Sequence, residues 1–230
     1  MIISNDLTWK TYLHGNNKTG DDKIVGLLAK LSQRVGILTR LRKVMTDNQF
    51  RNVSQGIFTS KMIYCIQLYG NVWGISTLDD KTRKSIAFTK DDNRKLQVIQ
   101  NKVLRLQTKL ERDTPLTQLL KCTGAMSVHQ LTAYHTLMTV HRIITSQYPR
   151  YLAEKFKLKK AGDEGIFPHR HTNTIKVPNH NLNLSRGGFV VRGASLWNTL
   201  PTEMRSLTKK EKFQNKLRKW VKTNIQIRPP

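Results

Sequence analysis

The stretch Arg186-Gly187-Gly188-Phe189-Val190-Val191-Arg192-Gly193-Ala194-Ser195-Leu196-Trp197-Asn198-Thr199-Leu200-Pro201 is where the fold class turns. Two glycines open it, where a chain can take φ > 0 without a Cβ clash. Phe189-Val190-Val191 is a short β-prone run. Gly193 breaks it, and Ala194 to Leu200 has room for about two helical turns before Pro201 stops them. Leu196, Trp197 and Leu200 would be buried by that turn. Ile175-Lys176-Val177 is a second short strand candidate. The expectation is a small α+β C-terminal module with a short β-hairpin, anchored by Trp197 and punctuated by Gly193 and Pro201.

Upstream the periodicity is helical. Ile24, Leu27, Leu28, Leu31, Val35 and Leu38 share one face at helical spacing, with Lys23, Lys30 and Arg34 along its flank. Asp21 or Asp22 is the expected cap. Thr46-x-x-Gln49 is a capping-box signature that opens a longer helix through Phe50, Val53, Ile57, Met62, Ile63 and Ile66 to Tyr69, which Gly70 ends. From Met62 onward it is apolar nearly all round, as expected of a core element. Asp91 or Asp92 is expected to cap a third long helix carrying Leu96, Ile99, Val103, Leu106 and Leu110. Arg94, Lys102, Arg105, Lys109 and Arg112 lie opposite. Thr114-Pro115 starts a short helix that Gly124 ends. Ser127-x-x-Gln130 caps a fourth long helix that ends near Tyr148-Pro149, and Arg150 to Phe156 is one more short helix. Thr208-x-x-Glu211 is expected to cap the last one, with Phe213, Leu217, Trp220 and Val221 as its buried stripe. The predicted fold is therefore mainly α. Its divisions are a stub at 1–18, a helical domain at 19–156, a linker at 157–174 and the C-terminal module at 175–230.

Charge sets the class of partner. The 230 residues carry 40 Lys+Arg against 15 Asp+Glu, a formal net charge of +25. A chain that repels itself this strongly points to a polyanion, nucleic acid above all. A membrane is not expected as partner: no run of about 18 apolar residues exists to span one. Met1-Ile2-Ile3 lacks the basic start and apolar core of a signal peptide. Cys65 and Cys122 form neither a disulfide framework nor a zinc pattern, so the nucleus or cytoplasm is the expected compartment.

No catalytic constellation is visible. Asp21-Asp22, Asp79-Asp80 and Asp91-Asp92 are the paired carboxylates. A polymerase can hold two metal ions on such a pair, and the setting sought is a β-hairpin turn between apolar strands. None of the three has that setting, and each reads as a cap or turn. His129, His135 and His141 lack metal-ligand spacing, and Ser195 lacks a nucleophile elbow.

The quoted stretch, followed by Glu203-x-Arg205 and Phe213-x-x-x-Leu217, resembles the C-terminal segment of LINE-type (non-LTR, jockey-like) retrotransposon reverse transcriptases. In that family an Arg, a Gly-Ala-x-Leu-Trp-Asn-x-Leu-Pro run and a basic Phe-x-x-x-Leu helix recur in this order. Asp6, Leu7 and Trp9 are similar to the stretch that follows the family's palm, although Tyr12 stands where a His is usual. The Leu68-Tyr69-Gly70 helix end and Trp73-Gly74 also match. The resemblance implies a thumb-like helical bundle and C-terminal region without fingers, palm or catalytic centre. By itself it would be inactive in RNA-directed DNA synthesis. No cofactor is expected here, since the magnesium ions of polymerisation would belong to the missing palm. The implied partners are RNA, DNA or an RNA–DNA hybrid, and the fingers and palm themselves. A free-standing, host-retained basic module that binds nucleic acid or protein is the alternative, as is a non-functional relic.

Three sets of cations are the expected phosphate contacts: Lys102, Arg105 and Lys109 centrally, Lys23, Lys30 and Arg34 as a second track, and Lys212, Lys216 and Lys219 as a third.

Overall fold

Helix α8, Val128–Ser146, is the post around which the others stand. Its capping box forms as the sequence dictates: the Ser127 hydroxyl accepts from the Gln130 backbone N–H, and the Gln130 side chain accepts from that of Ser127. The helix is apolar or uncharged nearly all round, so neighbours can cover every side. In this computed structural model, residues 9–16, 23–70, 89–159, 173–178 and 188–225 are described.

The protein is mainly helical. Before α8 come α1 (Lys10–His14), α2 (Leu27–Leu41), α3 (Asp47–Ser54), a π turn (Gln55–Thr59), α4 (Ser60–Ile63), α5 (Ile66–Tyr69), α6 (Lys90–Thr108) and α7 (Leu116–Thr123). After it come α9 (Arg150–Ala153), α10 (Phe189–Asn198), α11 (Thr202–Arg205) and α12 (Lys210–Asn224). Helix α8 packs against α5, α6, α10 and α12, while α6 packs against α2, α3 and α7. One contiguous buried cluster runs from Trp9 and Leu13 through Leu96 and Leu137 to Trp197, Phe213 and Ile225. The expected C-terminal module thus contributes to the same core as the expected helical domain.

The β-hairpin is not there. Among the described residues no strand forms, only isolated antiparallel bridges at Gly15–Val25 and Leu158–Ile175. Phe189-Val190-Val191 is instead the first turn of α10, with Gly188 as its extended N-cap. Burial explains the reversal. As a helix, the segment puts Val191, Ala194 and Trp197 on one buried face and leaves Phe189 edge-on to Phe156, with ring centroids 5.8 Å apart. Burying a large apolar side chain is worth ~1.5–3 kcal/mol. The helix penalty of a β-branched residue is only about half a kcal/mol.

Other boundaries also move. Helix α2 starts at Leu27 behind Gly26, which leaves Lys23 in the extended lead-in rather than on the helical flank, and Asp21 and Asp22 lie outside the described residues. A Cβ on Gly26 would stand 2.3 Å from the His14 carbonyl carbon, so only glycine lets α1 and α2 meet this closely. The long helix from Asp47 is interrupted by the π turn and again at Cys65, whose φ is 58°. Helix α6 is capped by Thr89, with Asp92 reciprocating from the third position. Helix α12 begins behind Lys209 with no side-chain cap, so Thr208 does not cap it.

Within α10, Gly193 is the point of closest approach. A Cβ there would meet Val140 Cγ2 at 2.9 Å and the Phe156 ring at 3.3 Å. Gly193→Val is expected to destabilise by ~1–3 kcal/mol through overpacking. Gly36 in α2 has nothing within 4 Å of such a Cβ. Gly36→Ala is therefore expected to stabilise by up to ~1 kcal/mol through helix propensity. Urea midpoints of the two variants must move in opposite directions for this packing to hold.

Candidate nucleic-acid interface

The cations fall into two groups, those held by the fold and those left to solvent. On α6, Lys102 is exposed to solvent, whereas Arg105 is half-buried and donates from Nη2 to the Thr114 carbonyl at 3.3 Å. Lys109 is past the helix end, at a left-handed C-cap with φ 58°, and its ammonium lies 3.3 Å from Asp47. Arg42, and after it Lys109, holds the Asp47 carboxyl below its ordinary value. The regular spacing along one helical face therefore breaks at its last member. Lys102, Arg105 and Arg112 instead line a groove of about 510 Å³ between α6 and α2, floored by Val35, Val98 and Leu106. No carboxylate lines it.

On α2, Lys30 is exposed, but Arg34 donates from Nη1 to the Ile57 carbonyl in the π turn. A π turn shifts the backbone register and frees carbonyls from their usual partners, and Arg34 takes one of them. On α12, Lys212, Lys216 and Lys219 are all exposed, while Phe213, Leu217 and Val221 are buried. Of the three expected tracks, only this one keeps all its members on a single helix and facing solvent.

The residues of the opening motif serve the core. Trp197 is 1% exposed and donates its indole N–H to the Asn173 carbonyl at 2.9 Å. Asn198 clasps Ile175 through both of that residue's backbone groups, accepting at 2.8 Å and donating at 2.9 Å. Pro201 stands as the N-cap of α11. Arg192, unassigned by the sequence reading, is buried and donates from Nη2 to the Gln67 and Leu68 carbonyls, each at 2.9 Å. Those carbonyls end α5, where a cation is favoured. Desolvation pulls the guanidinium down to about 10, still protonated at neutral pH. The signal in the sequence was a lone cation inside an apolar run.

The α6 amides were also missed. Gln97 donates to Gln100 at 2.8 Å and to Asn101 at 2.9 Å, and accepts from the Val128 N–H at 2.8 Å. Gln100 donates to the Met126 carbonyl at 2.9 Å. This buried ladder locks α6 to the start of α8, and each bond answers a group that would otherwise be desolvated alone.

Asp91 and Asp92 do not fit a metal centre. Asp91 pairs with Lys95 at 2.7 Å. Asp92 accepts from the Thr89 N–H at 3.0 Å and lies 3.0 Å from His14.

His141 stacks on Phe213 with ring centroids 4.1 Å apart and faces the Leu207 carbonyl at 2.8 Å, which makes its Nε2 the donor. Burial lowers the proton affinity of His141, and likewise that of His135. The unfolded chain, with ordinary histidines near ~6.5, then binds protons that the folded chain refuses. Stability from these two residues is full above that value and is lost as pH falls below it. A lower urea midpoint at pH 5.5 than at pH 7.5 is expected, with His141→Gln flattening the difference. Equal midpoints in the parent protein would refute it.

No helix among the described residues is long and apolar enough to cross a membrane. Compared with known proteins, the chain matches no family model, and no curated protein or solved structure is significantly similar to it.

Proposed function

We propose that this chain is the thumb and C-terminal region of a LINE-type reverse transcriptase, and that it grips a template–primer duplex through phosphates without base readout. The observation that carries the reading is the exposed cationic side of α12, where Lys212, Lys216 and Lys219 stand beside a net charge of +25. Free ammonium groups in a row suit a row of phosphates, since each contact releases condensed counterions. The groove beside Lys102, Arg105 and Arg112 offers a second such surface. The motif from Arg192 to Pro201 supports the family assignment, and its residues act here as structural anchors.

Binding of the full chain to an RNA–DNA hybrid, titrated at several salt concentrations, tests the proposal. Affinity should fall steeply, with a log–log slope of about −0.9 per duplex phosphate contact. Affinity independent of salt refutes the phosphate grip.

A further inference from the structure

On the face of α6 turned away from the α2 groove there is a second cleft, of about 470 Å³, between α6, the π turn, α8 and α12. Its volume is within the ~300–1,000 Å³ range of small-molecule sites. Phe58, Leu131 and Tyr134 give it an apolar and aromatic floor. Its rim is cationic and drawn from two elements: Arg51 from α3, Arg218 and Lys222 from α12. No carboxylate lines it. Lys222 is held across the edge by a 2.7 Å bond from its ammonium to the Gly124 carbonyl, which leaves two further N–H groups for a ligand. Gln107 spends its amide N–H on Ser54 at 2.6 Å and keeps its carbonyl oxygen for a donor. The π turn belongs to the wall itself, and such turns often mark functional sites.

An aromatic floor under a cationic, acid-free rim suits a ligand with a planar ring and a phosphate. Arg218 and Lys222 sit on the same helix as Lys212, Lys216 and Lys219. We infer that one nucleotide of a strand lying along α12 turns into this cleft, its base on the apolar floor that Phe58, Leu131 and Tyr134 form and its phosphate on Arg51 and Arg218. The inference rests on the proposed phosphate grip and adds to it a base-dependent, sequence-tolerant contact, since every base has a π face.

Two fluorescein-labelled decamers provide the test, one of deoxythymidine and one of the same length with abasic sugars throughout. The intact decamer is expected to bind the full chain about tenfold more tightly. Gln55→Trp, an exposed position on the cleft wall, should fill the cleft and bring the two affinities together. Equal binding of both decamers by the parent chain, steep in salt, overturns the base site and leaves the phosphate grip standing. No binding of either overturns both. A tenfold preference that survives both Gln55→Trp and Ala125→Phe, the latter also a position lining the cleft, puts the base contact elsewhere and overturns the cleft.

Discussion

Trp197→Ala is expected to cost ~3–5 kcal/mol of folding stability, the scale for truncating a fully buried large aromatic. The indole is 1% exposed and stands 5.8 Å from Phe213 and 6.4 Å from His141, ring centroid to centroid. It therefore joins α10 to both α8 and α12, and its N–H reaches Asn173 in the segment that Asn198 also clasps. Removing it opens a cavity at the junction of three helices. Trp197→Phe keeps most of the packing and loses the bond to Asn173, for about 1 kcal/mol. Because Trp197 shares one buried cluster with Leu13 and Leu96, the loss should shift a single transition rather than split it. Far-ultraviolet circular dichroism across a urea series reads both points. A change below ~1 kcal/mol for Trp197→Ala would remove its role as anchor.

That anchor was legible in the sequence because size and apolarity decide it. So were the two capping boxes at Thr46–Gln49 and Ser127–Gln130, whose chemistry is local. The same kind of local signature failed at Thr208–Glu211, where α12 forms with no side-chain cap, and most other failures were settled by distant neighbours. Phe189-Val190-Val191 is β-prone by itself and helical in place, since a helix buries it and a strand would have exposed alternate residues. The pair Asp91-Asp92 reads as a cap, but Thr89 sits three residues before Asp92 and takes the cap with it as partner. The π turn leaves no mark in residue type, so the Ile57 carbonyl that captures Arg34 could not be foreseen. Arg105 and Lys109 looked like solvated cations on a helical face. One found the Thr114 carbonyl and the other Asp47, both beyond the span of their own helix. Lysine on a flank is a statement about solvent only until the partner elements are placed. On α12 the Lys222 ammonium is drawn onto the Gly124 carbonyl, while Lys212, Lys216 and Lys219 stay exposed, as the sequence reads them.

The same distinction sets the largest expected change in binding. Replacing Lys212, Lys216 and Lys219 together by Gln removes three exposed cations from one side of α12 and leaves its buried stripe untouched. If each holds one duplex phosphate, the salt slope should flatten by about 2.7 and affinity at 0.1 M salt should drop roughly 500-fold. The corresponding replacement of Lys102, Arg105 and Lys109 should do less, because only Lys102 stands clear of a protein partner. Asp47→Asn gives the opposite sign. It releases Lys109 from its ion pair and removes a negative charge beside the Arg42 guanidinium, so binding should tighten and the slope steepen by about one contact, roughly eightfold at 0.1 M salt. Hybrid titrations at 50, 100 and 200 mM salt on the three variants separate these effects. A specific phosphate track on α12 requires its triple variant to lose more slope than the α6 variant, although both shed the same three charges. Identical slopes for the two would mean that net charge alone attracts the polyanion, and that no face of this helical array is built to hold it.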